Sequence, residues 1–267
     1  MNTKKSETAR SESVSQKKPA NHKEVRMSAR TMLVVASLVS AVLFAGVSMG
    51  QPLPVRLYGG SLGEQCHALV EGVEPGFCLA GWTRSYGPTG NENVLVVKTD
   101  PLGAPIWARV SLGAGDEEAR AMVRTVDGYV LAGWTRSYGP GTPAKNIFVI
   151  KLDPAGNNVW GRVYGGFQDD EAFSIVQTQD GGFALTGLTY SFGPDPRPNI
   201  LVLKLDPMGI FQWMRVYWMA SGHGENEGYS IVQTADLGYA VCGRAKVTGP
   251  ALYNPFLMKL DPAGNVQ

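Results

Sequence analysis

The chain has 267 residues, 44% of them hydrophobic, with 33 glycines and 17 prolines, the composition of a turn-rich globular protein. Its net charge of +1 hides a split: eight Lys/Arg and three Glu fall in the first 50 residues, leaving 16 basic and 20 acidic residues beyond them. A mildly acidic body excludes binding to a nucleic-acid backbone, which needs a basic face, and three cysteines (Cys66, Cys78 and Cys242) are too few for a disulfide framework and show no CxxC metal spacing.

Residues 1–30 are polar, basic and rich in Ser and Lys, which predicts a disordered leader. Residues 31–50, TMLVVASLVSAVLFAGVSMG, carry no charge. Two readings of this run stand. One is a secretory signal peptide cut near Gly50, after the small residues Ser48 and Gly50. The other is an uncleaved anchor, because about 20 apolar residues span a bilayer. Met27 opens a stretch with the proportions of an ordinary signal peptide, so Met1 and Met27 both stand as starts. Both readings export the body, either as a secreted or cell-envelope protein or as a membrane-anchored one.

Residues 51–267 repeat. Trp107, Trp160 and Trp213 are spaced 53 apart, and Asp100, Asp153, Asp206 and Asp261 each open an Asp-Pro-x-Gly turn. Each turn follows an apolar run with one lysine: NVLVVKT, NIFVIKL, NILVLKL and NPFLMKL. The decapeptide LAGWTRSYGP stands at 79–88 and again at 131–140, with looser relatives at 185–194 and 241–250. A period of 40–55 residues predicts a propeller or another stacked array. The third repeat shows four strand signals: EAFSIVQT, a QDGG hairpin turn, FALTGLTYS, then NILVLKLD and IFQWMRVY. The apolar run reads as covered on both faces. Four antiparallel strands make one blade, so the fold predicted is all-β, a β-propeller of four four-stranded antiparallel blades, with repeats at about 55–108, 109–161, 162–214 and 215–267. Residues 52–58 resemble a fourth strand, while the last repeat stops at DPAGNVQ. The N-terminal strand is therefore expected to complete the last blade and close the ring, which removes sheet edges. Two chains completing an eight-bladed ring, or a fragment of a longer gene, are the alternatives.

The stretch YGGFQDDEAFSIVQTQDGGFALTGLTYS…NILVLKLDPMG resembles the seven-bladed β-propeller repeat (SBBP-type) family of exported bacterial and archaeal proteins, over roughly residues 55–267. The resemblance implies a propeller of surface proteins and is nearly silent on activity. This chain departs from it by having four repeats. The Asp-Pro-x-Gly…Trp segment also looks like the tryptophan-docking motif of quinoprotein propellers, which implies that Trp107, Trp160 and Trp213 lock one blade against the next.

Gly81, Gly133, Gly187 and Gly243 sit inside strands, where glycine weakens pairing, and are expected at the close approach of a neighbouring blade. Lys98, Lys151, Lys204 and Lys259 are expected to carry their charge to the blade edge along an apolar stem. No Ser-His-Asp, Cys-His or HExxH-like arrangement is visible among His22, His67 and His223. The candidate site is an acidic ring at the start of the second recurring strand: GEQ, DEE, DDE and ENE. It gathers Glu64, Asp116, Glu117, Asp169, Asp170 and Glu225 as possible ligands for Ca²⁺; the competing reading has them accepting hydrogen bonds from backbone amides. Trp82 and Trp134 are replaced by Leu188 and Arg244 in later repeats, which permits a binding role. The symmetry-breaking insertion at 218–228 holds His223, Glu225 and Glu227 as further ligand-binding candidates. A Cys66–Cys242 bridge across the closing seam is conceivable, but the axial offset reads as too large for Cα atoms within about 7 Å, so free thiols are expected.

Two functions fit. The first is an exported or cell-surface propeller that acts as a non-catalytic binding module for a protein or glycan. The second is a propeller-scaffold enzyme, quinoprotein-like or glycan-active. No cofactor is called for beyond the Ca²⁺ option.

Overall fold

The computed structural model describes residues 14–17, 25–26, 55–87, 90–111, 113–194, 197–219, 224–246 and 253–267. All of its regular structure is β. β1 (Val14–Lys17) and β2 (Val25–Arg26) are short leader strands, within the segment expected to lack structure. The first sheet is β3 (Glu64–Glu71), β4 (Phe77–Thr83), β5 (Asn93–Thr99) and β6 (Pro105–Ser111). The second is β7 (Glu117–Thr125), β8 (Gly128–Thr135), β9 (Asn146–Leu152) and β10 (Asn158–Tyr164), with β2 along β10. The third is β11 (Asp170–Gln177), β12 (Phe183–Thr189), β13 (Asn199–Leu205) and β14 (Phe211–Met219), with β1 along β14. The fourth has three strands, β15 (Asn226–Gln233), β16 (Tyr239–Lys246) and β17 (Tyr253–Leu260).

Each sheet is an antiparallel meander whose turns are written in the sequence. At Asp-Pro-x-Gly the aspartate caps the turn: Asp206 Oδ1 accepts from the amides of Met208 (2.9 Å) and Ile210 (2.7 Å), and Gly209 supplies the positive φ of 70° that a side chain resists. Three of the recurring lysines, Lys98, Lys151 and Lys204, are buried rather than carried to an edge, and Lys259 in the last sheet is half-buried. Lys204 Nζ binds Asp180 (2.8 Å) in the β11–β12 turn and the Leu205 carbonyl (3.0 Å). Lys151 and Lys259 hold Asp127 and Asp236 in the same way. The first repeat has no such aspartate, and Lys98 binds the carbonyls of Pro75 (3.0 Å) and Thr99 (2.6 Å) instead.

The sheets stack in chain order, the first strand of each against its predecessor. Val94, Val96 and Ala80 pack with Ala119, Met122 and Leu131. Ala132 and Val149 pack with Ala172, Ile175 and Leu203, and Ile200 and Val202 with Ile231, Val241 and Met258. β9 and β13 are buried at every residue, as their two-sided apolar pattern predicts. The row is bare at its ends: Leu69 of β3 is 62% exposed and Leu257 of β17 is 79% exposed.

One joint recurs between sheets. Trp107 covers Gly156 of the following turn, and Trp160 and Trp213 cover Gly209 and Gly264. Arg109 stacks 5.3 Å from the Trp107 ring and donates to the Ala155 carbonyl at 2.8 Å; Arg162 does the same towards Met208 at 3.2 Å. The joint ends in a tyrosine: Tyr164 donates to the Gly209 carbonyl and Tyr217 to the Gly264 carbonyl. Between the first and second sheets that tyrosine is Ser111. A cavity of ≈ 40 Å³, lined by Val94, Val96, Leu131, Ile150, Leu152 and Gly156, stands where the ring is missing.

Residues 55–60 belong to the same scheme. Arg56 Nε donates to the Leu102 carbonyl (3.1 Å) and the Tyr58 hydroxyl to the Gly103 carbonyl (2.7 Å). This segment stands on the first sheet as β10 stands on the third. It is not a strand, and it does not pair with β17; the expected closure of the last sheet by residues 52–58 is not made among the described residues. The four described sheets form an open row.

Candidate functional site

The four glycines in mid-strand do not meet a neighbouring sheet. A Cβ on Gly81, Gly133, Gly187 or Gly243 would strike the carbonyl of Gln65, Glu118, Glu171 or Glu227 at 1.8–1.9 Å, on the partner strand of the same sheet. The cause is a β-bulge in every first strand, where the register slips between Cys66 and Ala68, Ala119 and Ala121, Ala172 and Ser174, and Gly228 and Ser230. A bulge leaves one residue unpaired and re-aims its side chain. The four residues so placed are His67, Arg120, Phe173 and Tyr229.

They meet one another's surroundings across the sheets. His67 pairs with Glu118 of the next sheet. The Arg120 guanidinium lies 6.0 Å from the Phe173 ring centre, and the Phe173 and Tyr229 rings are tilted at 5.6 Å. Arg244 lies 5.7 Å from the Tyr229 ring and 4.3 Å from that of Tyr253. The carboxylates beside the row are matched to cations: Glu118 with Arg120 (3.2 Å), Glu171 with Lys145 (2.8 Å) and Glu227 with Arg244 (2.7 Å). The Tyr229 hydroxyl donates to Glu227 at 2.5 Å; burial and then that carboxylate push its proton loss well above the usual tyrosine range.

The acidic residues singled out in the sequence divide into three tiers. Asp116 and Asp169 tie one sheet to the last, each Oδ1 accepting from the amide of Glu92 (2.9 Å) or Lys145 (2.8 Å). Glu225 stands at the matching position, but there Pro198 has no amide hydrogen to give, and Glu225 accepts from the Tyr253 hydroxyl. The second tier caps loops. Glu64 accepts from Thr83 (2.9 Å), Glu117 from Thr135 (3.1 Å) and Ser137, and Asp170 from Ser191 (2.7 Å) and the Gly166 amide (2.8 Å). Burial pushes the Glu117 carboxyl up to about 7 and that of Asp170 to about 6, against the hydrogen bonds that lower both. In the fourth sheet this position is Asn226. The third tier, Glu118, Glu171 and Glu227, flanks the bulge row. Among the described residues no group of three or more His, Cys, Asp or Glu is arranged to hold a metal ion.

The two candidate tryptophans differ. Trp134 is 4% exposed, donates to Glu118 (3.0 Å) and carries Lys145 4.1 Å above its ring. Trp82 is half-buried, with Arg84 at 5.4 Å. His223 lies outside the described residues. Sequence reasoning passed over the bulge row because a two-residue alternation assigns each side chain a face, and a bulge reverses that assignment. Its signal was present: His67, Arg120, Phe173 and Tyr229 share one repeat position and differ in chemistry.

No family model matches this chain, and a search of curated proteins finds no match. No helix among the described residues is long and apolar enough to cross a membrane.

Proposed function

We propose that the four sheets are blades of a β-propeller, exported through residues 31–50, that acts as a non-catalytic binding module for an extended polypeptide segment. The observation that carries this reading is the bulge row. It sets His67, Arg120, Phe173 and Tyr229 side by side on an otherwise repeated frame, so chemistry varies along one line while the backbone does not. Sheets pack about 10 Å apart, so four positions cover about 30 Å, the length of some nine residues of extended chain. Aromatic faces, cations and flanking carboxylates along that line match a mixed peptide better than a single sugar ring. The carboxylates beside that line are each paired with a cation of the chain, Glu118 with Arg120, Glu171 with Lys145 and Glu227 with Arg244, so the line is mixed in charge.

Selection of a displayed random-peptide library on the purified chain tests this. Enriched peptides should bind the wild type and lose at least about tenfold in affinity to the Phe173→Ala/Tyr229→Ala variant, a loss of about 1.4 kcal/mol or more. Peptides that bind both chains equally well would place recognition elsewhere and sink the reading.

A further inference from the structure

Cys66 and Cys242 are exposed and free, while Cys78 is buried. The repeat gives each exposed thiol a counterpart in every internal joint. Cys66 pairs with Gly81 as Ala119 pairs with Gly133, Ala172 with Gly187 and Gly228 with Gly243. Cys242 pairs with Ser230 as Thr186 pairs with Ser174, which also matches it to Ala132 and Ala80. These two positions face the same joint between sheets. Ala80 and Ala119 share one buried cluster, and Ala132 and Ala172 another. At the third joint a Cβ placed on Gly228 would stand 2.3 Å from Thr186 Oγ1. One further bond puts the two Cβ positions within about 4 Å, inside the ~3.5–4.5 Å that a disulfide requires. The axial offset that spoke against this pair in the sequence is therefore absent. The counterparts are buried because a sheet covers them; Cys66 and Cys242 are exposed because each lies on the uncovered face of an end sheet.

The strand positions agree. β17 pairs with β16 on one side, and among the described residues its other side carries only the bridge from Leu260 to Val266. Val266 matches Phe211, and Val55, Arg56, Leu57 and Tyr58 match Met214, Arg215, Val216 and Tyr217. By the register of β13 with β14, residues 55–58 would run beside Met258 to Pro255 without overlapping Val266 and Gln267. Val55 and Leu57 are 63% and 69% exposed, with nothing of this kind beside them. Among the described residues the chain's own first sheet is not paired with its fourth.

We propose that a second copy of this chain docks its first sheet on the fourth sheet of the first copy, with Cys66 of one copy bonded to Cys242 of the other. Reciprocal docking closes eight sheets into one ring through two identical seams. The proposal rests on the propeller reading above and names what completes the last blade. The bond forms when one thiolate attacks a small disulfide such as oxidised glutathione. The second cysteine then displaces the bound half, so two protein thiols become one disulfide, and the small disulfide is reduced and leaves as two thiols.

The test is oxidation of the full chain by oxidised glutathione, read by non-reducing electrophoresis, peptide mapping and sedimentation. A covalent dimer with a Cys66–Cys242 peptide is expected. Cys66→Ser and Cys242→Ser chains should each give no covalent dimer alone, and a singly bridged one when mixed. A bridged monomer, a covalent dimer in either single variant, or a monomer in sedimentation under both redox conditions would overturn it. A dimer that forms under reduction yet never bridges overturns the cysteine pairing and leaves the propeller reading standing. The peptide selection on the Phe173→Ala/Tyr229→Ala variant tests the binding reading separately.

Discussion

Ser111 and Asp170 are single residues at which the repeat can be edited against its own other copies. The joints that carry Tyr58, Tyr164 and Tyr217 each gain a buried or half-buried ring and a hydrogen bond to a glycine carbonyl, and the joint at Ser111 has a cavity instead. Ser111→Tyr should raise stability by about 1–2 kcal/mol, from apolar burial and one net hydrogen bond. An unchanged denaturation midpoint would mean that the cavity does not admit the ring. At Asp170 the folded carboxyl holds its proton to about pH 6, whereas an unfolded aspartate loses it near pH ~4. Between those values the folded state binds more protons, so the contribution is full below pH ~4 and is lost as pH rises through 6. Glu117 adds the same slope up to about pH 7. Denaturation from pH 5 to 8 should show falling stability in the wild type and a flatter profile in Asp170→Asn, which should exceed the wild type at pH 8 by about 1–3 kcal/mol. Asn226 already shows an amide at this position in the fourth sheet. A variant profile parallel to the wild type would refute the assignment.

At the scale of the strand, the glycine of the decapeptide and the bulge opposite it are one device. Gly187→Ala would bring a Cβ to within 1.8 Å of the Glu171 carbonyl, so the bulge must flatten or the strands must part. We expect a loss of about 2–4 kcal/mol, with a changed environment at Phe173 visible in aromatic ring NMR spectra; a neutral substitution would leave the bulge without its stated cause. The strands of the repeats, their hairpins and the four-sheet order were legible in the sequence, because Asp-Pro-x-Gly, Asp-Gly and the apolar runs act locally; the two leader strands and the missing fourth strand of the last sheet were not. The bulge was not, because it is a property of two strands together, and a pattern read along one strand carries no register. The same limit hid the site. Asp116 and Asp169 looked like metal ligands beside Glu117 and Asp170, yet neighbouring carboxylates on a strand end point to different partners: one to the preceding sheet, one into a loop. The lysines were read as snorkelling for a related reason; the aspartates that hold them lie some 24 residues away across a hairpin.

Among the described residues the main contacts of each sheet are with its neighbours in chain order, so stability is approximately a sum over joints. The joints are not equal. The first alone lacks the tyrosine and has a cavity in its place. Seen as a mechanical chain, the row has a weak link at Ser111. If single molecules are stretched between residues 55 and 267, the first rupture should release the first sheet alone. The step would be some 50–60 residues, or roughly 200 Å of contour at ~3.6 Å per residue. Ser111→Tyr should raise that first rupture force and leave the later ones alone. One serine in place of one phenol ring thus sets the order in which the molecule comes apart.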